Sequence, residues 1–139
     1  MLKPMTDCIF CKIIRKDLPT EAVFEDEHVL AFMDIRPVAK GHMLVISKQH
    51  TPDFLSADST TVGHVMVAAK RIGQALMKAV NAQGMNISTN NGAAAGQAVF
   101  HLHFHLIPRF NQDDLVPWPH HDVQPATRAE IAEQVRKQL

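Results

Sequence analysis

The chain has 139 residues, 46% of them hydrophobic and 20% charged, which is enough for one domain with a buried core and unlike the charge-rich composition of disordered chains. Fourteen basic residues balance fourteen acidic ones, so no basic field is available to hold a long nucleic-acid backbone, and a small substrate suits the chain better. No run approaches the roughly 20 apolar residues of a membrane span, and Asp7 and Lys12 interrupt the opening stretch where a signal peptide needs an apolar core. These features predict a cytoplasmic protein.

Residues 1–7 read as a frayed end. Cys8 to Arg15 then reads as a short helix or turn offering Ile9, Phe10, Ile13 and Ile14 for burial, and Asp17-Leu18-Pro19 breaks it. Two apolar runs, Ala22 to Glu25 and His28 to Met33, flank Asp26-Glu27 and predict an antiparallel hairpin, and His42 to Ser47 after Gly41 reads as a third strand. Asp58, Ser59 and Thr60 are candidate N-caps for one amphipathic helix over Thr61 to Gln83, where Val62, Val65, Ala69, Ile72 and Leu76 recur at helical spacing; Gly84 is the expected stop. Met85 to Thr89 reads as a fourth strand, Asn90 to Gln97 as a Gly- and Ala-rich loop, and Val99 to Pro108 as the fifth strand. Beyond it, a proline-rich irregular stretch leads to a short helix from Ala126 to Gln138, capped by Thr127 with Glu130 three residues on. Strand runs with one inserted helix, and no βαβ alternation, predict an α+β fold with a five-stranded, mostly antiparallel sheet. Its open edges invite pairing across a twofold axis.

Nine histidines are the unusual feature. Phe100-His101-Leu102-His103-Phe104-His105-Leu106-Ile107 alternates without a fault, and successive side chains of a strand point to opposite faces. Phe100, Leu102, Phe104 and Leu106 then share an apolar face, while His101, His103 and His105 line the other, about 6.8 Å apart at Cα from a rise of ~3.4 Å per residue. A solvated sheet face is normally built from Thr, Lys or Glu; clustered imidazoles point to metal binding or proton transfer.

The segment from Gly96 to Ile107 resembles the signature of the histidine triad (HIT) family, His-φ-His-φ-His-φ-φ with φ apolar. Cys8 to Ile14, Phe32 to Ile35, Gly41 to Ser47 and Asn90 to Gly92 resemble the other family blocks in order, so the resemblance spans residues 8–109 within a single domain of 1–139, and it is nearest to the bacterial Hint-like branch. That resemblance implies a homodimer with a continuous sheet and a nucleotide hydrolase or transferase that cleaves at the α-phosphate of nucleoside 5′-phosphoramidates or similar AMP-X substrates. His103 would be the nucleophile, forming a covalent nucleotidyl-histidine, which requires a neutral ring. His105 would contact the phosphate and help protonate the leaving group; His42 resembles the family's fourth active-site histidine, and His101 completes the triad. Asn90, Gln97 and the backbone near Val99 would hold phosphate oxygens and leaving group. Ile9, Phe10 and Ile13 would meet the base, Phe32, Ile35 and Leu44 would complete its wall, and Asp34 would accept from the ribose hydroxyls. Plain core packing explains each apolar member equally well, and Asp34 also reads as a turn residue before Arg36-Pro37. Ala98 departs from the eukaryotic Hint branch, which has a serine there, so a hydroxyl that would assist phosphate or leaving group is missing. The same resemblance admits dinucleoside polyphosphates of the Ap4A type as substrates, or a zinc-stabilised nucleotide-binding module with little catalysis.

Cys8-Ile9-Phe10-Cys11 is by itself an ordinary C-x-x-C: a redox pair, half of a zinc site, or two buried thiols. Some bacterial members of the family bind zinc through two such cysteines, a histidine after the third strand and the first triad histidine, which here are His50 and His101. That resemblance implies a closed Cys8, Cys11, His50, His101 shell and therefore a structural zinc ion. His28, His64, His120 and His121 read as surface or packing residues.

Overall fold

The computed structural model describes residues 7–139. Its elements are α1 (Ile9–Ile14), β1 (Ala22–Glu25), β2 (Val29–Met33), β3 (Met43–Ser47), α2 (Ser59–Val80), β4 (Gly84–Ser88), a single 3₁₀ turn (Ala93–Ala95), β5 (His103–Arg109) and α3 (Pro125–Gln138). All four strand pairings are antiparallel, in the order β1-β2-β3-β5-β4. The expected α+β architecture is therefore present, with β1 and β4 at the sheet edges. No helix among the described residues is long and apolar enough to cross a membrane.

The two faces of the sheet bury two different clusters, which explains why β2 and β3 read as continuous apolar runs. On one face Val29, Ala31, Met43, Val45, Leu102, Phe104 and Leu106 pack against Val65, Ala69, Ile72 and Leu76 of α2. On the other, Leu30, Phe32, Leu44 and Ile46 meet Cys8, Phe10 and Cys11 of the α1 segment. Register carries the histidines into this second face. Leu44 pairs with His105 and Ile46 with His103, so the imidazoles extend two rows of apolar side chains.

Asp58 caps α2, its carboxylate accepting from the Thr61 N–H at 2.8 Å, an arrangement that contributes about 1 kcal/mol. The helix ends earlier than the spacing predicts. Asn81, in the left-handed region at φ 53°, closes it, and Gly84 instead opens β4. Gly41 has φ 89°, and a Cβ there would lie 3.1 Å from Pro108 and 3.2 Å from Val80, so the chain enters β3 where only glycine fits.

The fifth strand is shorter than its alternation predicts. Ladder pairing begins at His103, because the loop from Gly92 to Leu102 first tucks under Thr51, whose carbonyl accepts from the Leu102 N–H at 2.7 Å. Leu102 still reaches the α2 core, but Phe100 does not join it and is 37% exposed. At the C-terminus, α3 starts at Pro125, with Gln124 in the cap position and no side-chain cap bond; Thr127 lies inside the first turn, so the expected Thr127 cap is not formed. Proline suits that first position because its missing N–H would be unpaired there anyway. Of the remaining histidines, His28 and His64 stack at 3.8 Å between ring centroids, while His120 and His121 are exposed.

Candidate functional site

The second apolar face positions the site. α1 lays Phe10 across the histidine strand, its ring meeting His103 edge-on at 5.1 Å and His101 at 5.8 Å between centroids. His103 and His105 sit side by side at 5.1 Å. The row that alternation predicts thus exists, with α1 laid over part of it.

Hydrogen bonds fix which nitrogen of each ring is protonated. Nδ1 of His103 lies 2.6 Å from the His101 carbonyl, which can only accept, so Nδ1 carries the proton and Nε2 holds the lone pair. Thr89 ties the same residue from the other side, its hydroxyl donating to the His103 carbonyl at 2.7 Å. For His42, the Val38 N–H donates to Nδ1 at 3.0 Å, which leaves the proton on Nε2. That Nε2–H faces Nδ1 of His105 at 2.9 Å and Oδ2 of Asp34 at 3.5 Å. His105 therefore accepts at Nδ1 and presents its own Nε2–H. Arg109 Nε is the only buried side-chain nitrogen or oxygen without a partner among the described residues, so the unpaired Nε2 atoms of His103 and His105 reach solvent. Burial lowers the pKa of His42, His103 and His105 below the ordinary imidazole value; for His105 the neighbouring His42 adds to the effect. All three rings are held neutral. The arrangement thus presents one imidazole lone pair beside one imidazole N–H donor.

A second cluster lies at the other end of the row. Nδ1 of His101 is 3.4 Å from Cys8 Sγ, 3.6 Å from Cys11 Sγ and 3.2 Å from Nδ1 of His50, and Cys11 Sγ is 3.3 Å from that same His50 nitrogen. These four ligand atoms lie within 4.8 Å of one another and could hold a metal ion. The Nε2–H of His101 donates to the Ser47 carbonyl at 2.6 Å, which turns Nδ1 toward the cysteines. Burial pushes the His101 ring down to about 4 and the Cys11 thiol up to about 11. A buried neutral imidazole is ready to ligate; the thiol needs a cation to give up its proton.

A HIT domain model matches residues 15–112 of the chain. The chain belongs to the HIT domain family. It is 51% identical over 112 residues to a HIT-like protein of Borreliella burgdorferi, covering 78% of this chain and 80% of that one. An adenosine 5′-monophosphoramidase of Schizosaccharomyces pombe is 34% identical over 134 residues, with 95% and 98% covered. An adenylylsulfatase of Arabidopsis thaliana is 40% identical over 109 residues, with 78% and 55% covered. Among solved structures, a Streptococcus mutans protein superimposes with a TM-score of 0.91 at 42% identity, covering 97% of this chain and 87% of that one. A HIT family protein of Bacillus subtilis superimposes with a TM-score of 0.88 at 41% identity, covering 96% and 97%.

The HIT fold brings most, not all, of the expected site residues together. Phe10, Phe32 and Leu44 are buried in one cluster with Ile13 and Val99 packed against it, and His42, His105 and Asp34 adjoin Leu44. Ile9 is half exposed, and Ile35 is 86% exposed beside Asp34. Asp34 serves its turn, Oδ1 accepting from the Arg36 N–H at 2.8 Å, and still offers Oδ2 toward His42. Asn90 is half-buried next to Gly96. Gln97 is buried and its amide ties two loops together, donating to the Pro52 and Val99 carbonyls and accepting from the Gly92 N–H. His101 turns its ring nitrogens to the cysteines and Ser47, and reaches His103 only through its carbonyl. Ser47, Val38 and Thr89 were invisible as contributors, because two act through backbone groups and no side-chain pattern marks them.

Proposed function

We propose that this protein hydrolyses AMP-X compounds, nucleoside 5′-phosphoramidates foremost, through a covalent nucleotidyl intermediate on His103. The observation that carries the reading is the fixed tautomer of His103: Nδ1 is committed to the His101 carbonyl and the Nε2 lone pair is open. That lone pair attacks the α-phosphorus, forming a P–N bond to the ring as the bond to the leaving group breaks. The departing amine keeps the bonding electrons and leaves as the neutral amine after taking a proton. With Nδ1 of His105 already accepting from His42, loss of its Nε2 proton would create an anion, so His105 donates a hydrogen bond to a phosphate oxygen and water supplies the amine's proton. The hydroxide left by that proton transfer then attacks phosphorus, the P–N bond breaks with its electron pair returning to Nε2 of His103, and AMP departs with the new oxygen.

Asp34 Oδ2 suits a ribose hydroxyl, while Phe32, Leu44, Phe10 and Ile13 form the apolar wall for the base, with Ile35 and Ile9 at its open rim. Asn90 and the backbone at Val99 line the phosphate position, and Gln97 holds that loop in shape. The names of two relatives support the reading. One is a monophosphoramidase and the other an adenylylsulfatase, so the adenylyl group is shared and the leaving group differs. Replacing His103 with Ala should abolish release of AMP from adenosine phosphoramidate while AMP still binds; undiminished turnover would refute the proposal.

Zinc is the ion that the Cys8, Cys11, His50, His101 set fits. Tetrahedral zinc with bonds of ~2.0–2.1 Å to nitrogen and ~2.3 Å to sulfur has edges of about 3.3 Å between nitrogens and about 3.5 Å between nitrogen and sulfur. The observed separations are 3.2 Å and 3.3 to 3.6 Å. Four protein ligands would leave no open position, so the ion would brace α1 and His101, whose carbonyl in turn sets His103. Free thiols at both cysteines fit a reducing cytoplasm. A homodimer would extend the sheet through edge strand β4, where exposed Met66 and Ile87 border an apolar groove with Met77 and Met85.

A further inference from the structure

Cys8 and Cys11 are the only thiols of the chain, and the fold pairs them. Cys8 caps α1, its carbonyl accepting from the Lys12 N–H at 3.0 Å, and the Cys11 N–H points back at Cys8 Sγ at 3.5 Å. Both are free, and their sulfurs lie no more than 4.8 Å apart, a gap that side-chain rotation can close to the ~2.05 Å of a disulfide bond. A proton acceptor stands over both. Because the Nε2–H of His101 is committed to the Ser47 carbonyl, its Nδ1 holds a lone pair, 3.4 Å from Cys8 Sγ and 3.6 Å from Cys11 Sγ.

Access distinguishes the two sulfurs. Cys8, and not Cys11, lines a cavity of about 270 Å³ between Ile9 and Phe100, and the exposure of those two side chains, 46% and 37%, marks its way out to solvent. A small oxidant therefore meets Cys8 first, with Cys11 behind it. Phe10, between the cysteines in sequence, meets the His103 ring at 5.1 Å, so the state of the sulfurs bears on the surroundings of His103.

We propose that Cys8 and Cys11 form a dithiol–disulfide switch, oxidised by a hydroperoxide with His101 as proton acceptor and mutually exclusive with a bound metal ion. With hydrogen peroxide, Cys8 gives its proton to Nδ1 of His101 and its sulfur attacks one peroxide oxygen. The O–O bond breaks, the sulfur is oxidised to a sulfenic acid, and the departing oxygen takes the proton from Nδ1 and leaves as water. Cys11 then gives its proton to Nδ1 and its sulfur attacks that of Cys8; the S–S bond forms as the S–O bond breaks, and a second water leaves. A disulfide has no thiolate left to ligate, so only the reduced form holds the ion. The dithiol chemistry needs no metal, while the exclusion rests on the zinc reading above.

The test adds hydrogen peroxide to the reduced, metal-free full chain and alkylates the remaining thiols before intact-mass and peptide analysis. The expected product is a single chain lighter by about 2 Da, without an alkyl group, linked Cys8 to Cys11 and restored by dithiothreitol. Cys11→Ser should halt the reaction at a Cys8 sulfenic acid that dimedone captures. His101→Ala should form the disulfide at least about tenfold more slowly than His50→Ala, which also removes one imidazole of the cluster. In glutathione buffers, free zinc at 100 times its dissociation constant should move the equilibrium constant about a hundredfold toward the dithiol, roughly 60 mV. Thiols that remain fully alkylatable, sulfinic acids in place of the linkage, or disulfides between chains would overturn the switch, and equal rates in the two histidine variants would overturn the role of His101. A disulfide whose equilibrium zinc leaves unmoved would overturn the exclusion and the four-ligand zinc reading together.

Discussion

Loading of the metal cluster offers a quantitative test of how α1 is fastened to the histidine strand. Each thiolate ligand must lose a proton before it can bind, and burial holds the Cys11 thiol up at about 11 in the metal-free protein. His101, pushed down to about 4, has none to lose near neutrality. Zinc binding near pH 7 should therefore release at least the Cys11 proton, and the apparent affinity should climb roughly tenfold or more per pH unit. With free zinc at 100 times its dissociation constant, the folded state gains about 2.7 kcal/mol, which for a chain of this size raises Tm by roughly 10 °C. Calorimetric titration of metal-free protein in two buffers of different ionisation enthalpy counts the protons, and a thermal melt with and without chelator reads the stability. A pH-independent affinity, or an unchanged melt on chelation, would refute the four-ligand assignment.

Three further outcomes follow from the site and the core. His42→Ala removes the donor to His105 Nδ1 and frees that ring to adopt the other tautomer; kcat should fall roughly 5- to 30-fold, the equivalent of about 1–2 kcal/mol, with little change in the affinity for AMP. Burial depresses the pKa values of His42 and His105 in the folded protein, so as pH falls below about 6.5 the unfolded chain takes up protons first. Stability should accordingly decline with acidification from about pH 6.5 downward, and the acid limb of the kcat profile should lie below that value; a limb at or above it would contradict the neutral relay. Leu106→Ala, at a side chain with no exposure in the α2 core, should cost about 2–5 kcal/mol in denaturant unfolding and leave the Nε2 chemistry intact in the folded fraction.

Much of this was legible in the residues because period-two alternation and helical spacing are direct consequences of backbone geometry. Phe104 and Leu106 point to α2 and His103 and His105 point away, as the pattern from 100 to 107 requires. What alternation could not show is where pairing stops. The tuck of Leu102 under Thr51 ends the ladder at His103 and leaves Phe100 outside the core, 37% exposed. The helix end was misplaced for a related reason, since Asn81 tolerates the left-handed conformation that a glycine three residues later seemed better placed to supply. The three imidazoles of the strand stood out by type and spacing, whereas His42, His50 and Asp34 were reached only through the family resemblance. The Val38 amide and the His101 and Ser47 carbonyls could not be picked out, because every residue carries such groups and only the fold aims them. Gln97 shows the reverse case: a polar side chain that reads as a ligand contact makes two hydrogen bonds within its own loop and one to the Pro52 carbonyl after β3.

The central claim is that His103 forms a covalent bond to phosphorus. Intact-protein mass spectrometry after millisecond mixing with adenosine phosphoramidate tests it most directly, followed by peptide mapping of the trapped species. An added adenylyl group on His103, absent from the His103→Ala variant, is the predicted result. Substrate consumed with no adduct at any time point, or an adduct carried by another side chain, would contradict it.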